Sequence, residues 1–152
     1  MSILGFVGEI FFEDKVVAHY KDGTVVKGHT RDFDPAKDAF TLHPYEAGGE
    51  AVDVELESLK AVFHVKTFEG NPAHPPPSEA ITDIEEPRFR DVMRGGRKAY
   101  LEFADGERMW GYAEGFESAR GGFFLFPTDP EGNNLRVYVV RSALKNAVLI
   151  DR

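Results

Sequence analysis

The chain has 152 residues, a formal net charge of −8, 42% hydrophobic and 29% charged residues, thirteen Phe and no Cys. That length suffices for one ordinary domain or two small ones with a buried core. The missing cysteine excludes disulfides, thiolate metal sites and a cysteine nucleophile, the acidic balance opposes nucleic-acid binding, and no apolar run reaches the roughly 20 residues of a membrane span.

The chain opens with the apolar stretch Met1–Phe12, which lacks a basic leader and a small-residue cleavage site. This argues against a secretory signal, and with the absence of cysteine it fits the cytoplasm. Lys15–Tyr20 then reads as a short strand. Asp22-Gly23 follows as a hairpin signal, because both residues tolerate positive φ. A longer strand runs on to Phe33 with Gly28 in its middle, where glycine marks a sharp bend. Next come a polar turn, a Phe40–Pro44 strand, a variable loop, an alternating strand Val52–Leu56 and a last strand from Leu59 to Phe63. Residues 69–96 carry Pro72, Pro75, Pro76, Pro77 and Pro87 and read as a stiff linker ending in one short helix, Pro87–Arg94, with Gly95 as its cap.

The pattern then starts again. Residues 15–44 return at 98–127 without a gap, with identities at Lys15/Lys98, Asp22/Asp105, Gly23/Gly106, Gly28/Gly111, Phe33/Phe116, Ala36/Ala119, Phe40/Phe123, Leu42/Leu125 and Pro44/Pro127. A repeat declares architecture. The second copy closes with strands Leu135–Val139 and Leu144–Leu149. Five short strands per copy predict an all-β protein of two tandem, pseudo-symmetric five-stranded small barrels, at 1–68 and 97–152, joined by the Pro-rich linker and its helix.

The stretch Tyr20-Lys21-Asp22-Gly23-Thr24-Val25-Val26-Lys27-Gly28, ending in Asp32-Phe33-Asp34, resembles the first motif of Sm-like proteins, as does Phe103–Gly111 through Phe116. The resemblance implies a five-stranded bent barrel in each copy. Sm-like RNA sites use an Asn before the third strand, where this chain has Pro35-Ala36-Lys37-Asp38-Ala39, so nucleic acid is not the expected partner. The second copy also resembles PilZ domains, receptors for cyclic di-GMP. Arg90 and Arg94 match their R-x-x-x-R, and Phe116-Glu117-Ser118-Ala119-Arg120-Gly121 matches their second motif, with Phe116 at its Asp/Asn position. The resemblance implies an anion or cyclic-dinucleotide site at Arg90, Arg94, Ser118 and Gly121. The whole chain is similar to an uncharacterised bacterial family of this tandem layout.

Other candidates are weaker. His19, His29, His43, His64 and His74 have no metal-ligand spacing, so no metal or cofactor is expected. Neither a nucleophile elbow nor a phosphate loop occurs, and an enzyme is not expected. Tyr100, Trp110 and Tyr112 replace Val17, Lys27 and His29 of the first copy and form a candidate interface. Their face depends on the Asp-Gly loop: two residues pair Leu101 with Trp110, three pair it with Met109. The expectation is a non-enzymatic binding or regulatory module with a protein partner.

Overall fold

The structure, a computed structural model, describes residues 14–46, 49–69, 97–116, 121–127 and 132–150. The expected helix at Pro87–Arg94 and nearly all of the linker lie outside them. The described residues form ten strands and two single-turn 3₁₀ helices. In the first half these are β1 (Asp14–Tyr20), β2 (Val25–Thr30), β3 (Ala39–Pro44), β4 (Val52–Glu55), the 3₁₀ turn Leu56–Ser58 and β5 (Leu59–Val65). In the second they are β6 (Arg97–Phe103), β7 (Arg108–Glu114), β8 (Gly122–Phe126), β9 (Asn134–Val140), the 3₁₀ turn Arg141–Ala143 and β10 (Leu144–Ile150).

The loop chemistry fixes the register. In the first hairpin Tyr20 N–H donates to Thr24 O (2.8 Å), Asp22 Oδ1 accepts Thr24 N–H (2.9 Å), and Gly23 takes φ of 96°. The second repeats it: Phe103 N–H to Glu107 O (2.8 Å), Glu107 N–H to Asp105 Oδ1 (3.0 Å), Gly106 at φ 97°. These are three-residue loops with glycine in the left-handed region. They pair Leu101 with Met109 and Tyr100 with Trp110. Mid-strand Gly28 and Gly111 answer a different need. A Cβ there would lie 2.3 Å from His43 O and 2.4 Å from Phe126 O, so only glycine lets the next strand cross so closely.

All pairings are antiparallel, and the strand order is β10-β6-β7-β8-β9-β5-β1-β2-β3-β4. The last five strands of the chain thus repeat the order of the first five. Two separate barrels are not what the strands form. β9 pairs with β5, Val137 opposite Phe63, Tyr138 opposite Val62 and Val139 opposite Ala61, and this joint merges both halves into one open ten-stranded sheet. The correspondence also shifts along the chain. Leu42 pairs with Val52 and Leu125 with Val137, so the fourth strands match Val52 to Val137, two residues later than the identities at 15–44 suggest. The fifth strands match Leu59 to Leu144, each opposite the last residue of its half's opening strand, Tyr20 or Phe103, across a like irregularity.

Two cores result, one on each face of the joint. One gathers Leu101, Phe103, Phe123, Leu125, Val137 and Val139 with Val17, Ala61, Phe63 and Val65 of the first half. The other gathers Val16, Ala18, Phe40, Leu42, Val54, Leu59 and Val62 with Tyr138 and Val140 of the second. Alternation sends successive side chains to opposite faces. Every residue of β5 is therefore buried.

Candidate functional site

The joint is clasped at both ends. Near the 3₁₀ turns, buried Lys60 donates from Nζ to Asp105 Oδ2 at 2.7 Å and also bonds Glu107 Oε1. Burial pulls the Lys60 ammonium toward deprotonation, but the two carboxylates outweigh it and hold its pKa above the ordinary value. Asp105 is lowered in turn, chiefly by the hydrogen bond from Lys60. Beside it, Lys21 Nζ donates to Ser142 Oγ at 2.6 Å. At the far end, Asn133 Nδ2 donates to Thr67 O (2.9 Å) and Asn133 Oδ1 accepts Thr67 N–H (3.1 Å).

Between the halves opens a cleft of about 930 Å³, walled by Pro35–Ala39 and Glu55–Glu57 on one side and by Gly121, Gly122, Tyr138 and Val140 on the other. Among the described residues, Asp38, Glu55 and Glu57 line it against a single ammonium, Lys37. Gly121, the described part of the expected anion site, therefore faces a mainly acidic rim. Its carbonyl accepts Arg141 N–H at 3.0 Å. A side chain at Gly121 would meet nothing nearer than Tyr138 Oη at 3.9 Å, whereas one at Gly122 would meet Val139 O at 2.2 Å. Crowding therefore demands glycine at 122 and not at 121. Arg90, Arg94 and Ser118 lie outside the described residues.

His64 on β5 is 3% exposed, with Phe33 and Phe124 rings 5.1 and 6.3 Å away and no hydrogen-bond partner for Nε2 among the described residues. Burial first, and Arg136 second, lower its pKa to about 4. Asp14 Oδ2, 3.6 Å from Nδ1, does not offset the burial. His64 is thus a neutral core histidine at physiological pH. Among the described residues no group of three or more His, Asp and Glu is placed to hold a metal ion. Trp110 and Tyr112 are buried, at 8% and 1% exposure, so these two members of the expected interface are withdrawn from solvent; Tyr100 is half-buried.

The open feature is β10. Among the described strands it pairs only with β6 and forms one edge of the sheet. Val148 on it is 44% exposed, while Phe63, at the matching place on β5, is 8% exposed. The sequence gives no sign of this, since both strands read as similar apolar runs. No described helix is long and apolar enough to cross a membrane.

The chain belongs to a family described as "Family of unknown function (DUF6982)", whose profile matches residues 12–150. No curated protein and no solved structure matches it.

Proposed function

We propose that this protein is a non-enzymatic binding module of the bacterial cytoplasm that holds a protein partner. The observation that carries this reading is the seven-residue β10 edge, apolar at Val148 and unpaired on one side among the described strands. Exposed edge strands are either guarded or used. The two strand sets of like order support reading each half as a small bent barrel of Sm or SH3 style, opened where it joins the other. An acidic chain with an acid-rimmed cleft disfavours RNA and cyclic di-GMP alike, because phosphate binding needs cationic donors.

The test places a photo-crosslinking side chain at Val148 and, as comparison, at Val25, the exposed apolar residue of β2. Protein adducts from Val148 exceeding those from Val25, with flat calorimetric titrations against cyclic di-GMP and short RNAs, are expected. Submicromolar cyclic di-GMP binding, or no excess of adducts at Val148, overturns the reading.

A further inference from the structure

The two halves differ in one respect that the sheet makes plain. The first half has a strand, β9, laid along its fifth strand; the second half, among the described strands, has none. The consequence is visible residue by residue. Leu59 and Val62 are 0% exposed and His64 3%. Their counterparts Leu144, Ala147 and Leu149 are only partly buried against the second core. Phe33, which meets the Tyr138 ring at 5.5 Å, corresponds to Phe116, and both rings are partly buried.

We propose that β10 receives an added antiparallel strand from another protein, apolar on both faces, set as β9 is set on β5. This rests on the reading of the chain as a protein-binding module. The joint between β9 and β5 supplies the register. Val137, Tyr138 and Val139 lie opposite Phe63, Val62 and Ala61. Carried to β10, these positions are Val148, Ala147 and Asn146. The added strand therefore sets an aliphatic residue opposite Val148 and a large aromatic one opposite Ala147. There the ring faces the second core beside Phe116 and Leu149, as Tyr138 faces the first core beside Phe33. Main-chain hydrogen bonds supply affinity and the alternating side chains supply selectivity.

A second copy added head to tail is the wrong occupant. In that arrangement β4, the other free edge among the described strands, would take this place. Its Asp53 and Glu55 stand where β9 has Tyr138 and Val140, as the pairing of Leu42 with Val52 and Leu125 with Val137 fixes. Both acids are exposed. Docked on β10 they would carry carboxylates into an apolar core, which is costly without partners. Charged edge residues commonly block such self-addition.

The absence of cysteine gives a direct test in the full chain. A synthetic peptide of residues 133–141 is the probe, because it carries the pattern of β9. It should bind the intact protein, and the same peptide with Tyr138→Asp and Val140→Glu should bind at least tenfold more weakly. With Val148→Cys in the protein, a peptide carrying Val137→Cys as its thionitrobenzoate disulfide should exchange to the mixed disulfide, releasing thionitrobenzoate, at least tenfold faster than one carrying Arg136→Cys in the same activated form. The protein alone should stay monomeric. No binding of the unmodified peptide, as when another part of this chain already covers β10, overturns the proposal; so do equal trapping of both cysteine peptides and concentration-dependent self-association. Adducts at Val148 without peptide binding sink strand addition alone, while loss of those adducts sinks the binding-module reading itself.

Discussion

β5 and β10 are one strand written twice, LKAVFHV and LKNAVLI, and they meet opposite fates. β5 lies in the middle of the sheet, sealed on both faces, and its lysine is drawn into a buried clasp. β10 lies at the rim of the described strands, and its matching Lys145 keeps a 68% exposed side chain with Glu102 at 3.9 Å. The neighbours of a strand, more than its own composition, decide how much of it leaves water. Ala61 gives way to Asn146 and His64 to Leu149, so the buried copy carries the histidine and the rim copy the aliphatic residue. A buried histidine persists at the centre because it is neutral there.

The largest test of this comparison is in the two cores. Phe40 and Phe123, at 3% and 2% exposure, hold matching places in the two clusters. Truncating either to Ala should cost about 3–5 kcal/mol. A urea midpoint that moves for one and not the other would break the equivalence of the halves. Next comes His64. Its folded pKa of about 4 lies below the ordinary histidine value of 6.5, so the unfolded chain takes up the proton first as pH falls. Stability should be full above pH 6.5, decline by about 3 kcal/mol towards pH 4 and level off below it, as far as this group is concerned. His64→Leu, which installs the residue the second half uses, should flatten that decline; denaturant titrations at pH 7 and 4.5 decide it.

A smaller effect belongs to the clasp. Removing both carboxylates with Asp105→Asn/Glu107→Gln leaves the buried Lys60 ammonium unpaired and should cost about 1–3 kcal/mol. Lys60→Met should cost less, because the carboxylates it abandons are half-exposed and the methionine stem still packs on Phe103. Comparing the two variants by thermal unfolding sharpens how the halves are held. The smallest effect is at the loops. Gly23→Ala and Gly106→Ala each force a side chain to φ near +96° in open space and should cost about 1 kcal/mol apiece, equally in both halves.

The hairpins were legible because Asp-Gly carries its own geometry, and the strands because their apolar runs end at glycine and proline. The three-residue loop length was not, since both registers leave an alternating pattern, and the choice rests on Glu107 N–H reaching Asp105. The two-residue shift in the fourth strands hid in the loops before Val52 and Val137, the second of which is two residues longer. The joint was not legible at all. Nothing in the composition of β5 or β9 names the other as partner, and pairing across the halves depends on how the whole sheet coils. The candidate site suffered likewise: Gly121 was visible as part of a motif, but the carboxylates of Asp38, Glu55 and Glu57 opposite it come from the other half. Tyr138, which fills the first core, read only as one residue of an alternating strand.

The shared joint also has a history in time. On the ribosome, β5 is made long before β9, and roughly 75 residues separate the close of one from the close of the other. At roughly 5–20 residues per second, the first half waits on the order of 4–15 s with the flank of Val62 and His64 open before Tyr138 arrives to seal it. A nascent chain paused in that interval displays an unsealed fifth strand, as β10 is among the described strands.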